Sequence, residues 1–309
     1  MRKSGFRLLT LLLLVLFCLQ PLSASAEAVD ASRNCSLELE YSSNGTYFSD
    51  LEIHIYRIAE IYTNGNYALV APFSSFPVNI HGISSQKEWR DTANTMAAYI
   101  ASQRISPTQT VKTNASGKAA FHDLDIGIYL VTAVSANDGV SGYHFENFCV
   151  FLPRPQTDGT QLYDLTAKPK CTITHNPEEP QEITYQVVKL WKDAGIQSQR
   201  PKSITVDILK NTFLQKTVIL SADNDWTYSW TVTDETDIWQ VVEKDVPDQY
   251  SVVITSSATV FTITNSRSAP TGDPPKTGDT FALRPWLIVM CCSGMLLLAC
   301  GILQKRKKQ

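Results

Sequence analysis

No charge of one sign dominates this chain. Its 27 Lys and Arg against 30 Asp and Glu leave a formal net charge of −3 and a pI near 6.0. A basic field that would gather nucleic acid is missing, so nucleic acid is not an expected partner. Histidine is sparse and scattered: His54, His81, His122, His144 and His175 stand at no spacing that builds a metal site. No nucleophile motif and no phosphate-cradling loop occurs, so neither a metal, a cofactor nor an enzyme acting on external substrates is expected. Cysteine is scarce outside the ends. Cys18, Cys291, Cys292 and Cys300 fall in apolar terminal stretches, leaving Cys35, Cys149 and Cys171, an odd count that leaves one thiol unpaired.

What is present is concentrated first at the two ends. Pro274, Pro275, Lys276, Thr277 and Gly278 precede Asp279, an apolar run over 286–303 and a basic tail, Lys305 to Lys308. Such a run can span a bilayer, and the basic tail holds its end on the cytoplasmic side. A short Pro/Gly-marked peptide therefore lies extended just outside the span. The plain alternative is a single-span membrane protein whose linker contains Pro and Gly. At the other end Arg2, Lys3 and Arg7 precede the apolar stretch 8–19, and Ala24, Ser25 and Ala26 supply small residues for cleavage. This predicts a secretory signal over 1–26, the mature chain beginning at Glu27. The order of motif, span and basic tail resembles the cell-wall sorting signal of Gram-positive surface proteins, with Pro274 where Leu is commonest. The resemblance implies a sortase that cuts between Thr277 and Gly278 and joins the Thr carbonyl to an amine of peptidoglycan or of another subunit.

Between the signals lie about 250 residues, enough for two domains. The region 27–171 reads as short strands with period-two alternation at 36–41, 51–56, 126–131 and 148–152. Within it, Trp89, Ala93, Met96, Ala97 and Ile100 recur at helical spacing, with Ser84 and Ser85 as caps and Pro107 beyond the end. This predicts one amphipathic helix over about 85–105 inserted in a β-domain. The Pro/Glu-rich stretch 172–183 reads as a stiff linker. Seven closely spaced strands over 184–266 predict a second β-sandwich. A polar stalk over 267–278 carries the sorting peptide, and 279–309 holds the span and tail.

Three polar residues interrupt the apolar faces of the second domain. Along 185–191 the alternate residues are Tyr185, Val187, Lys189 and Trp191, so period two places an ammonium on the buried face. Glu243 ends the row Trp239, Val241, and Asn265 ends the row Phe261, Ile263. Burial of all three would lower the Lys pKa and raise the Glu pKa, since each charged form loses solvation. A neutral amine beside a neutral acid can react: the Lys189 amine attacks the Asn265 side-chain carbonyl, Glu243 relays protons, and ammonia leaves. A buried Lys and Glu ion pair with Asn as hydrogen-bond partner satisfies the same pattern. Residue by residue the segment resembles collagen-adhesin B-type (Cna-B) domains: 189–193, Arg200 with 201–206, Trp226 with 227–230, 239–243 with Pro247 and Tyr250, and 261–265. The resemblance implies an isopeptide crosslink with Lys189 as nucleophile, Asn265 as electrophile and Glu243 as catalytic acid.

The first domain resembles a diverged relative. Residues 117–131 follow the pattern G-x-A-x-F-x-x-L-x-x-G-x-Y-x-V, and the helix followed by 148–153 resembles the N-terminal domain of Gram-positive pilins. Tyr41 and Ala133 stand where that family's lysine and acid would be. Cys35 and Cys171, flanking the first and last strands, would supply a disulfide instead, or remain free thiols. The segment 163–170 resembles the end of the pilin motif whose lysine accepts the next subunit, which would make Lys170 a polymerising nucleophile; the alternative is a solvated lysine at a domain edge. Sequons at Asn34, Asn44 and Asn114 also fit a glycosylated type I membrane protein. Taken together, the expected fold class is all-β: two Ig-like, Cna-B type sandwiches in tandem between a signal peptide and a transmembrane sorting helix. The expected role is a cell-wall-anchored surface protein, either a minor or basal pilin subunit, a polymerising pilin, or a monomeric adhesin for a host or environmental ligand.

Overall fold

Burial along the first strand follows the alternation of its residues: in β1 (Cys35–Glu40) Cys35, Leu37 and Leu39 are buried and those between them are not. The structure is a computed structural model that describes residues 28–138, 140–175, 181–233 and 237–267. The expected signal peptide, sorting motif, transmembrane span and tail lie outside these. No helix of the described residues is long and apolar enough to cross a membrane.

After β1 come β2 (Glu52–Ile61), β3 (Tyr67–Leu69), helix α1 (Gln86–Gln103), β4 (Gln109–Lys112), β5 (Lys118–Leu124) and β6 (Gly127–Ala133). Then follow β7 (Ser141–Phe145), β8 (Phe148–Leu152), β9 (Asp164–Ala167) and β10 (Cys171–His175); two-residue bridges are left unnumbered. One sheet runs β9-β1-β5, with β1 and β9 parallel, and a second runs β8-β6-β2-β3, with β4 added to β2. Their facing rows, including Leu37, Leu39, Ile53, Ile55, Phe121 and Tyr129, form one core. The glycine-spaced motif has a packing cause here. Ala119, Phe121, Leu124, Tyr129 and Val131 are all buried. A Cβ on Gly127 would come within 2.5 Å of the Ala59 carbonyl, so only glycine lets β6 approach β2 there.

The second half contains β11 (Ile183–Lys192), β12 (Ser203–Lys210), β13 (Phe213–Ser221), β14 (Thr227–Val232), β15 (Trp239–Glu243), β16 (Ser251–Ser257) and β17 (Val260–Ser266). These are the seven expected strands. A four-stranded sheet, β14-β11-β17-β16, faces a three-stranded one, β13-β12-β15. First and last strands are neighbours and run parallel, in register from Gln186↔Val260 to Lys192↔Ser266.

The helix starts where expected and is buried more widely than expected. Ser85 caps it and Glu88 closes a capping box: Glu88 N–H donates to Ser85 Oγ, 3.2 Å, and Ser85 N–H to Glu88 Oε2, 3.0 Å. An amphipathic helix buries one stripe, yet here Thr92, Thr95, Ala98 and Tyr99 are buried as well as Ala93, Met96, Ala97 and Ile100. The cause is a second contact surface: α1 packs on β8 and β6 on one side and on β16 and β15 on the other. The two sandwiches follow one another along the chain, and α1 bridges them. The described residues up to Arg267 form one compact unit, and α1 shares a continuous core with the second sandwich. The expected linker also begins later than 172, because Cys171–His175 is a strand paired with β7.

Candidate functional site

Lys189, Glu243 and Asn265 meet inside the second sandwich. Period two along β11 turns Val187 and Lys189 inward and leaves Leu190 45% exposed. Asn265 lies on the adjacent strand β17, opposite Trp191, and Glu243 ends β15 on the facing sheet. Lys189 Nζ stands 3.1 Å from Glu243 Oε2, both side chains fully buried. Asn265 Nδ2 donates to Glu243 Oε1 at 2.9 Å.

Lys189 Nζ approaches Glu243 Oε2 at an angle poor for a hydrogen bond, and Asn265 Oδ1 has no donor among the described residues. A stable buried ion pair needs its remaining protons and lone pairs satisfied. Here the two charged groups have little beyond each other and the Asn265 amide to satisfy them, which favours the neutral forms. Burial lowers the Lys189 pKa from 10.5 to about 8, with the Glu243 carboxylate opposing. Burial raises the Glu243 pKa, with Lys189 and then Asn265 opposing. Both shifts move toward an amine beside a carboxylic acid.

Aromatic rings close the site. Trp191 lies over the Lys189 amine, its ring centroid 4.3 Å from Nζ. Trp191 is itself held edge-on by Trp226 at 5.6 Å and Tyr250 at 5.3 Å. An indole face stabilises an ammonium by up to about 2 kcal/mol when desolvated, so it opposes the loss of the proton without supplying one. Beneath it Asp193, 2% exposed, accepts from Arg200 Nε at 2.8 Å and from the Tyr250 hydroxyl at 2.8 Å. The Arg200 guanidinium, donating to Asp193, holds that carboxyl below the usual carboxylate range. This brace fixes the end of β11, which carries the lysine.

Among its described residues the first half has no such set. Tyr41 is 1% exposed and packs edge-on against Phe145 at 4.9 Å, and Ala133 ends β6. Among the described residues there, the buried polar side chains are Ser42, Thr92, Thr95, Thr113 and Ser141. The expected Cys35 to Cys171 disulfide is not formed, and Cys35, Cys149 and Cys171 are free thiols. The reason is topological. Cys35 opens β1 opposite Leu124 of β5, whereas Cys171 opens β10 opposite Phe145 of β7, on a different sheet. Lys170 is exposed between β9 and β10, its carbonyl accepting from Glu146 N–H at 3.0 Å, while Lys168 pairs with Glu40 at 3.2 Å. Among the described residues no cluster of three or more His, Cys, Asp or Glu is placed to hold a metal ion.

Two residues at the site were not singled out from the sequence. The Tyr99 hydroxyl donates to the main-chain carbonyl of Glu243 at 2.8 Å, and Thr95 Oγ1 accepts from Ile254 N–H at 2.9 Å. Their signal was a second stripe on the helix, Thr92, Thr95 and Tyr99 at i, i+3 and i+7.

Residues 185–266 match the family described as Cna protein B-type domain, so the chain carries a domain of this class around its buried trio. Several solved structures are similar to this chain at low identity. A single B repeat unit of the collagen-binding surface protein of Staphylococcus aureus is 17% identical, with 77% of this chain and 100% of that one covered and a TM-score of 0.27. The major pilin SpaD of Corynebacterium diphtheriae is 16% identical over 78% of this chain and 65% of that one, TM-score 0.33. The minor pilin GBS52 of Streptococcus agalactiae is 14% identical over 79% of this chain and all of that one, TM-score 0.25. No curated protein matches the chain.

Proposed function

We propose that this chain is a load-bearing surface protein, a minor or basal pilin subunit, sealed internally by an isopeptide bond between Lys189 and Asn265 and attached to the cell wall by a sortase. The observation that carries the reading is the fully buried Lys189, Glu243 and Asn265 group joining the first and last strands of a Cna B-type domain.

The chemistry balances with these three side chains alone. The unprotonated Lys189 Nζ attacks Asn265 Cγ while protonated Glu243 hydrogen-bonds the amide oxygen and disperses its developing charge. Reorientation of the Asn265 amide, whose oxygen has no donor at present, brings that oxygen to the Glu243 proton. The tetrahedral adduct then loses its C–N bond to Nδ2, a proton passes from Nζ through Glu243 to the leaving nitrogen, and ammonia departs. One Nζ–Cγ amide forms, one amide is broken, and Glu243 is restored after a single turnover. Intact-mass analysis tests this: the expected chain is lighter by one ammonia, and an unmodified mass refutes it.

Attachment rests on residues 274–278 and the apolar segment after them. Cell-wall digestion is expected to release a chain ending at Thr277; release by detergent alone with the hydrophobic tail retained would refute the anchoring. A second reading, polymerisation through Lys170, is favoured by that side chain's exposure beside β10. Under it, Lys170→Arg abolishes a high-mass ladder in wall extracts, and an unchanged ladder excludes it. A single band in the unsubstituted protein favours a monomeric wall-anchored adhesin.

A further inference from the structure

Strand β16 is the edge of its sheet, and edge strands present unpaired N–H groups at alternate residues. Here those groups are taken by the first half of the chain. Val252 N–H donates to Pro77 O at 2.7 Å, and Ile254 N–H to Thr95 Oγ1 at 2.9 Å. The Thr95 hydroxyl directs its own proton to Asp91 O at 2.8 Å, leaving its lone pairs to face β16. Across the opening of the sandwich, β15 is the edge of the other sheet, and the outward carbonyl there belongs to Glu243. It accepts from the Tyr99 hydroxyl at 2.8 Å. Tyr99 is 2% exposed, and its ring lies against Phe76 at 5.2 Å. Thr95 and Tyr99, one helical turn apart, therefore grip both sheets, and one grip is on the backbone of the acid in the buried trio.

We infer that α1 is a built-in positioning element for the crosslinking reaction, with Thr95 and Tyr99 as positioning residues that set Glu243 between Lys189 and Asn265 and shut the open edge of the sandwich to water. This inference rests on the crosslink reading. Glu243 must reach two partners at once, at 3.1 and 2.9 Å, from the last residue of an edge strand. A strand end without a neighbour frays, and misplacement by about 1 Å costs a positioned reaction up to 10²-fold. Purely apolar packing of α1 would bury the same area without fixing the Glu243 carbonyl, whereas the Tyr99 hydroxyl fixes it at one point. The first half of the chain thus acts on the second as a clamp closed before the bond is made.

The test uses the full-length chain, scoring the Lys189 to Asn265 crosslinked peptide with time after a pulse of synthesis. Tyr99→Phe, which removes one oxygen, and Thr95→Val, which keeps the shape and removes the acceptor, are each expected to slow crosslinking about 2–10-fold. Thr95→Ser restores the acceptor and is expected to react at the unsubstituted rate, which separates the hydroxyl's role from helix packing. If the unsubstituted chain crosslinks and both Tyr99→Phe and Thr95→Val match its rate, the inference is overturned alone. If Thr95→Ser is as slow as Thr95→Val, packing and not positioning is responsible, and the inference is again overturned. An unsubstituted chain that loses no ammonia overturns the crosslink reading and this inference with it.

Discussion

Replacing Lys189 by Met and Glu243 by Gln together separates a covalent site from an ionic one by the sign of its effect. Met preserves the length of the buried chain, and the Gln carbonyl can still accept from Asn265 Nδ2, now 2.9 Å from Glu243. If the trio is only a buried ion pair, removing both charges relieves their desolvation, and the variant is as stable as the parent or about 1–4 kcal/mol more so. If Lys189 and Asn265 are joined, the bond closes a loop between positions 76 residues apart in the sequence. Chain-entropy arithmetic for a closed loop of that length gives about 4–5 kcal/mol, so the variant loses that much. For a cooperative unit of this size the melting temperature then falls by about 10–20 °C. Calorimetry of parent and variant, each with its intact mass measured, is the assay. A variant that melts at or above its parent refutes the covalent reading.

The pH dependence of crosslinking, followed as ammonia released when chains recovered unfolded are refolded at each pH, is expected to be bell-shaped. At pH below both groups' values protonation of the Lys189 amine, lowered to about 8, slows the reaction about tenfold per pH unit; above both values ionisation of the Glu243 acid, raised by burial, slows it again, and between them the rate levels off. A rate that falls at neither the acid nor the alkaline end would remove Glu243 and Lys189 from the chemistry. Thiol alkylation of the native chain is expected to label Cys171 first. Burial pushes Cys35 up to about 11, so it labels only on unfolding, while Cys149, part-buried and pushed up to about 12, labels more slowly than Cys171; co-protection of Cys35 and Cys171 until reductant is added would restore the disulfide.

The seven strands of 183–266 could be read directly because each side chain's face follows from a two-residue period, and a polar residue at the end of an apolar row stands out by the same rule. Lys189, Glu243 and Asn265 were legible for that reason. Thr95 and Tyr99 were not, since helical periodicity ranks residues by polarity, and both look like solvent positions until a partner 159 or 144 residues away in the chain is known. The cysteines failed for a related cause. Position before the first strand and after the last says nothing about which sheet each strand joins, and β10 pairs with β7, not with β1. The parallel pairing of β1 with β9 was equally silent, because parallel and antiparallel neighbours present the same alternation.

Geometry also decides what the bond would do under tension. β11 and β17 lie side by side and run the same way, so the chain enters at Ile183 and leaves at Ser266 from opposite ends of one parallel pair. Pulling those ends apart shears the pair along its length. Without a crosslink the hydrogen bonds between the two strands carry the load together, and once they part, everything from 190 to 264 can unravel. With Nζ of Lys189 joined to Cγ of Asn265, tension leaves β11 at Lys189 and enters β17 at Asn265, and the intervening 75 residues are never loaded. At 3.3–3.6 Å per extended residue that segment stores at most about 250–270 Å of length. Single-molecule pulling on the full chain is expected to show no release of that size from the parent and one release of about 250 Å from the Lys189→Met, Glu243→Gln variant. A parent molecule that gives up the same length as the variant would show that the two strands are held by nothing stronger than their ladder.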